Sequence, residues 1–189
     1  MDLMAGDILI NTRKFGHAGL GVCNSMGRAL TTLSSPATRA IDVIHATNDG
    51  IVYGWGLKAY VYRPNDLTYG DARKIARIAD EIRSGSQYGA ARAVFKSWSG
   101  SSAFGKDART RLAKYRERLA LRDTAGGTTP IVKHVFCSEF VILCYQLALG
   151  EDHRLFIRLD AMHTLPSGLK KHLDQNAANW RMVGEIDAA

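Results

Sequence analysis

The stretch VFCSEFVILCY, residues 135–145, decides the fold of this chain. It follows a loop rich in glycine, threonine and proline, and from Cys137 onward its apolar residues recur at helical spacing. The pattern predicts a buried helix with Cys137 in its first turn. A thiol there faces unpaired N–H groups and the positive end of the helix dipole. We therefore expect a lowered pKa for Cys137 and a reactive thiolate.

Short strand patterns fill the first third of the chain. The turn signal TNDG, residues 47–50, predicts a hairpin between two of them. Consecutive strands joined by short connections predict an antiparallel meander. The predicted strands cover residues 7–10, 17–23, 40–46, 51–55 and 57–63.

Helical patterns occupy the middle of the chain, as a segment at about 66–122 between the sheet strands and the cysteine helix. Its parts are 66–84, 90–98 and 106–122. A short helix over 167–173, with Ser167 as its N-cap, and a last strand over 180–186 follow the cysteine helix. No repeat or domain boundary is evident. The sequence thus predicts a single α+β domain over 1–189, an antiparallel sheet packed against helices, with a nucleophile at a helix N-terminus.

The charge of the chain limits its partners. The net charge is +7, with 46% hydrophobic and 23% charged residues, which is typical of a packed globular protein. A basic surface suits anionic partners such as cell-wall polymer, phospholipid or nucleic acid, although a merely solvated basic surface explains the charge equally well. The helix at 106–122 holds the densest cluster of basic residues, and there too a solvated face is favoured over anion contact. No aromatic-interleaved basic stripe indicates specific nucleic-acid binding.

The cysteines and the N-terminus indicate where the protein works. The three cysteines, Cys23, Cys137 and Cys144, lack paired or metal-like spacing, so we expect neither a disulfide framework nor a zinc site, and no cofactor. The first residues do not resemble a secretory signal peptide. No segment approaches the roughly 18 apolar residues of a membrane span. The expectation is a cytoplasmic protein without a transmembrane segment; delivery to the periplasm or a target cell by a route that needs no signal peptide is the alternative.

Two histidines lie on neighbouring predicted strands, His17 at the start of one and His45 near the end of another. Adjacent antiparallel strands can bring such positions together. A cysteine at a helix start, a histidine on a strand and a second polar group beside it form a nucleophile–base–orienter set. The structural alternatives stay open, because a histidine at a strand start often has no catalytic role and a buried cysteine is usually inert packing. We assign Cys144 and Cys23 to that inert class.

Short motifs carry a family resemblance. HAGLGV at 17–22, VIHAT at 43–47 and GIV at 50–52 are similar to the "HVGIY…IHA…GV" pattern of NlpC/P60 papain-like cysteine peptidases, and FCSEFV at 136–141 resembles their "DCSGLV" nucleophile helix. The order is reversed, since the cysteine helix here follows the histidine strands. That order resembles the circularly permuted branch, which includes the YiiX-like and lecithin:retinol acyltransferase-like proteins.

The resemblance implies a permuted papain-like fold and a role for each site residue. It implies that Cys137 is the nucleophile, His17 the base and His45 the third polar residue, and it makes Tyr88 a candidate for the oxyanion or substrate-binding position, with a buried structural tyrosine as the equal alternative. Ser138 is a further candidate for such a position. Permuted relatives often have glutamate where His45 stands. Two further departures are a glutamate at position 139, where the usual motif has glycine, and a phenylalanine at 136, where it has aspartate.

The function implied is hydrolysis of amide bonds, first of all in peptidoglycan peptides, through a thioester acyl-enzyme. Two alternatives keep the fold: a lipid acyltransferase or thioesterase, and a non-catalytic module that binds cell wall or lipid. Peptidoglycan lies outside the cytoplasm, which conflicts with the expected cytoplasmic location of the protein. An antibacterial effector toxin, paired with a cognate inhibitor, would resolve that conflict.

Overall fold

The computed structural model describes residues 1–13, 16–23, 40, 42–88, 100–125 and 129–187. The predicted helix at 90–98 lies outside these ranges. The strands are β1 (Ile8–Asn11), β2 (His17–Val22), β3 (Asp42–Thr47), β4 (Gly50–Tyr53), β5 (Ala59–Pro64), β6 (Gln87–Tyr88), β7 (His134–Val135) and β8 (Trp180–Ile186). The helices are α1 (Tyr69–Gly85), α2 (Lys106–Ala125), α3 (Cys137–Ala148) and α4 (Pro166–Gln175), with a 3₁₀ turn at Ala161–His163.

Six strands form one antiparallel sheet in the order β4-β3-β2-β1-β5-β8. The predicted meander is confirmed for β1 to β4 and is wrong for β5, which pairs with β1 instead of β4. Successive residues of a strand point to opposite faces, and Val61 and Tyr62 of β5 are both almost completely buried. A strand that is apolar on both faces is better buried inside the sheet, between β1 and β8, than at the β4 edge.

The main core lies between the sheet and the helices. Alternate sheet residues, among them Ile10, Leu20 and Ile44, are completely buried in one cluster with the apolar sides of α1 and α3. In the described part of the chain the sheet packs against four helices, which confirms the predicted α+β class. A smaller cluster, which includes Leu9 and Val43, lies on the opposite face of the sheet.

Helix α3 is the centre of this core. Its first eleven residues are all buried, so the predicted buried helix is confirmed, and it begins at Cys137. It packs against β2, β3 and α1. It has 12 residues, and none of the helices in the described ranges is both long and apolar enough to cross a membrane.

Two helices differ from the sequence prediction. Helix α4 begins at Pro166 with Leu165 as its N-cap residue, so the assignment of Ser167 as N-cap is wrong. Proline is favoured at the first helical position because its ring fixes a helical φ and that position needs no N–H. In α2, Arg116 donates hydrogen bonds to Gln146 O and Leu149 O, the carbonyls at the end of α3. At least one of the basic side chains of α2, that of Arg116, therefore makes intramolecular hydrogen bonds.

Candidate active site

The two histidines form a close pair where β2 and β3 meet. The register pairs Gly19 with His45, and His17 lies two residues before Gly19 and hence on the same face of the sheet. The Nε2 atom of His17 is 2.6 Å from Nδ1 of His45, and the rings meet edge to face with centroids 4.9 Å apart. Because this bond occupies Nε2, Nδ1 is the nitrogen of His17 left for proton exchange with another group.

The indole of Trp55 covers this pair, a role that the sequence reasoning missed. Its ring stacks on His17 with centroids 5.4 Å apart and an interplanar angle of 24°, and it meets His45 at 5.3 Å. Its Nε1 donates a hydrogen bond to Leu57 O at 2.6 Å. Gly19 leaves the necessary room, since a Cβ there would lie 2.6 Å from the indole. The run of small residues in β2 was the available signal, because it predicts a close approach by a neighbour.

Burial keeps both imidazoles neutral. It lowers the pKa of His17 to about 4, with a smaller contribution from the nearby His45. It also lowers the pKa of His45. At neutral pH each ring therefore carries one N–H, and one ring donates to the other. If His17 donates from Nε2, its Nδ1 is a free base.

Cys137 lies beside the backbone of the histidine strand. Its side chain is the first of α3, and the residue is only 5% exposed. The backbone N–H groups of Ala18, Ser138 and Cys137 itself lie near its sulfur and act to lower its pKa. Ala18 directly follows His17 in the chain, but the two side chains leave opposite faces of the sheet: Ala18 belongs to the cluster that contains Cys137, whereas His17 shares the face of Gly19, Val43 and Trp55. Among the described residues, no hydrogen bond joins the thiol to either imidazole.

The thiol is not the thiolate that the sequence predicted. Burial raises the pKa of Cys137 despite the three N–H groups, which act in the opposite direction. A buried sulfur loses the water that would solvate its negative charge, and this loss exceeds the stabilisation by the helix start. The resting site therefore holds a neutral thiol and a neutral imidazole at neutral pH.

The remaining predicted site residues have different surroundings. The hydroxyl of Ser138 is completely buried and donates to Thr164 O at 2.7 Å, so it ties α3 to the segment before α4 and does not face solvent. The backbone N–H of Ser138, in contrast to its hydroxyl, acts on the Cys137 thiol and lowers its pKa. Tyr88 pairs through its backbone with Val135, two residues before Cys137. The side chain of Tyr88 lies outside the described part of the structure.

Cys144 is completely buried in the core, and burial raises its pKa well above the ordinary value; Cys23 is 5% exposed. Both are unbonded thiols. Within the described ranges, no group of three histidine, cysteine, aspartate or glutamate side chains is placed to hold a metal ion.

The arrangement contains a buried thiol at a helix start and, on the opposite face of the adjoining strand, a neutral imidazole held by a second imidazole. A thiol and an imidazole can carry out acyl transfer through a covalent intermediate when the two come within hydrogen-bond distance. Comparison of the chain with protein-family models, with curated proteins and with solved structures found no match.

Proposed function

We propose that this protein is a cysteine hydrolase that cleaves amide bonds through Cys137, with His17 as the general base and His45 as its orienter. The observation that carries the proposal is the position of the Ala18 N–H near the Cys137 sulfur, in the residue that directly follows His17, whose imidazole is held 2.6 Å from His45.

The fold supports the same proposal. In a papain-like enzyme the nucleophile begins a helix that packs on an antiparallel sheet, and the base comes from that sheet. Here α3 packs on β2 and β3 and begins at Cys137. The histidine strands precede this helix in the chain, so we infer a permuted papain-like fold of the NlpC/P60 type.

Because the thiol and the imidazole are both neutral at rest, the thiol proton must move as the sulfur attacks. As the sulfur attacks the amide carbon, a C–S bond forms, the carbonyl π electrons move to oxygen and the thiol proton passes to Nδ1 of His17. The N–H of Cys137, at the helix start, donates to the developing oxyanion. The sulfur must come within hydrogen-bond distance of Nδ1 for this transfer, and such bonds are often long before the substrate binds.

The later steps use the same groups. The tetrahedral intermediate collapses, the C–N bond breaks, and His17 returns its proton to the leaving amine. Water, activated by the free Nδ1, then attacks the thioester and releases the acid. His45 accepts from Nε2–H of His17 throughout, which fixes the tautomer and leaves Nδ1 as the basic nitrogen.

We propose peptidoglycan peptides as the substrate class. The resemblance of the histidine and cysteine motifs to NlpC/P60 peptidases supports this choice, and so does the net charge of +7, which favours an anionic polymer.

The test is incubation of the purified protein with peptidoglycan fragments, with new amino groups and acids measured by mass spectrometry. We expect the wild type to release peptides and Cys137→Ala to release none. Cys144→Ala is the matched control, because it removes a buried thiol from the same helix, and it should retain activity. Identical products at identical rates from wild type and Cys137→Ala would refute the proposal.

A further inference from the structure

We infer that the backbone N–H of Ala18 is a catalytic group, the second hydrogen-bond donor of the oxyanion hole, alongside the N–H of Cys137. The inference rests on the proposed function and deepens it. It assigns a donor that comes from the histidine strand, so that the base and the oxyanion donor are consecutive residues of one chain segment.

The direction of the Ala18 amide follows from the sheet. Gly21 of β2 donates its N–H to Asp7 O, on the β1 side of the strand. Backbone N–H groups alternate in direction along a strand. Ala18 lies three residues before Gly21, so its N–H points to the other side, where β3 runs.

In the β2–β3 ladder, Ala18 is not one of the paired residues. The ladder between β2 and β3 begins at the pair Gly19–His45, one residue after Ala18. The sulfur of Cys137 lies near this N–H, which acts to lower the pKa of the thiol. A buried N–H needs an acceptor, and the sulfur of Cys137 is a group that lies near this one.

The position of the Ala18 N–H near the sulfur matters for catalysis because of where the negative charge develops. When the sulfur bonds to an acyl carbon, the negative charge develops on the carbonyl oxygen, which is bonded to that same carbon. Amides that lie near the sulfur, from the strand and from the helix start, are then close to this oxygen as well. Rigid donors placed before the reaction are those that stabilise an oxyanion most effectively.

Semisynthesis tests the assignment in the full chain. Cys23 permits native chemical ligation of a synthetic peptide of residues 1–22 to residues 23–189, which leaves the natural sequence at the junction. An Ala18→lactate peptide replaces the amide N–H by an ester oxygen and keeps the methyl side chain. The matched control is the corresponding ester at Leu20, which removes an N–H directed to the same side of the same strand.

Two reagents separate the possible roles of the amide. p-Nitrophenyl acetate acylates Cys137 through a tetrahedral oxyanion, and p-nitrophenolate leaves as the C–O bond breaks. Iodoacetamide alkylates the same sulfur by displacement of iodide, without an oxyanion. Peptide mapping by mass spectrometry gives the rate at Cys137 for each reagent.

We expect the Ala18 ester to slow acylation about 100-fold, as for loss of one oxyanion donor, and to leave alkylation within about threefold, since no oxyanion forms there. The Leu20 ester should change neither rate by more than that. Equal slowing of both reactions would show that the amide serves only the sulfur, and unchanged acylation would show that it has no catalytic role. Either result overturns the inference.

A second measurement does not depend on folding of the ester. On addition of acetaldehyde, which forms a hemithioacetal with Cys137, the amide proton of Ala18 in the ¹⁵N-labelled wild type should move downfield together with that of Cys137. An unmoved Ala18 resonance in the adduct would overturn the inference. Because neither experiment uses peptidoglycan, failure of the proposed substrate gives a separate result.

Discussion

The indole of Trp55 stacks on the imidazole of His17 with ring centroids 5.4 Å apart. The same indole meets His45 at 5.3 Å, so one side chain shields both members of the histidine pair. This shielding contributes to the burial that lowers the pKa of His17 to about 4. Trp55 therefore covers an imidazole whose pKa is lowered by burial, and it fixes the position of that ring.

Replacement of Trp55 by alanine should expose the pair to water. We expect the pKa of His17 to rise toward its ordinary value of 6.5, because solvation of the imidazolium returns. NMR titration of the histidine ring protons measures this rise. Trp180→Phe is the control, since Trp180 is buried beside Tyr145, where its ring packs in the core. An unchanged His17 titration in Trp55→Ala would show that the indole does not control the base.

Addition of a methyl group at Gly19 should displace the same indole. An alanine Cβ would lie 2.6 and 2.9 Å from two indole carbons and 3.1 Å from Val43. We expect Gly19→Ala to lower the free energy of unfolding by about 1–3 kcal/mol, as overpacking does, and to raise the pKa of His17. Gly56→Ala is the matched control, because a Cβ added at Gly56 would meet nothing within 4 Å. Urea denaturation compares the two variants, and equal stability would contradict the packing described.

The stability of the protein should depend on pH through His17. The folded pKa of about 4 lies below the ordinary 6.5, so the unfolded chain binds more protons between these values. Stability is then fully present above pH 6.5 and is lost as the pH falls toward 4, by at most roughly 3 kcal/mol from this group. His17→Gln should flatten that part of the profile, measured by denaturant unfolding at each pH. A wild-type stability that rose on acidification through this window would have the wrong sign.

The rate of alkylation of Cys137 should depend on pH as expected for a neutral thiol and a neutral imidazole. Because burial raises the pKa of Cys137, its alkylation by iodoacetamide should be slow at neutral pH and increase steadily into the alkaline range. Site-resolved mass spectrometry follows the reaction, with Cys144, completely buried, as the internal control that stays unlabelled. A rapid reaction that is already constant below pH 7 would instead indicate a thiolate–imidazolium pair.

Local patterns explain which parts of the fold were predictable. The last strand has the predicted bounds, 180–186, and the cysteine helix begins at the predicted residue, because both follow from short-range periodicity. The pairing of β5 with β1 depends on contacts distant in the chain, and no local pattern in residues 57–63 reveals its partner. Within the described ranges, strand and helix type were thus easier to predict than sheet order.

The candidate site, too, was predictable only where local sequence patterns determine it. His17 and His45 could be selected from their positions on neighbouring strands, and their contact is present. Trp55 follows β4 in a glycine-flanked turn, and its stacking on His17 depends on how that turn folds across the sheet. The raised pKa of Cys137 depends on its burial, which is a property of the whole core. Residues 135–145 alone predict a pKa lowered by the helix dipole, and that prediction is wrong.

The most direct test of the central claim is the rate at which p-nitrophenyl acetate acylates Cys137 at neutral pH in wild type, His17→Ala and His172→Ala. His172 is the matched control, a half-buried histidine on α4 whose pKa burial also lowers. A general base contributes about 100-fold or more to such a step, so His17→Ala should lose that factor while His172→Ala keeps the wild-type rate. Acylation of Cys137 at the wild-type rate in His17→Ala would contradict the account.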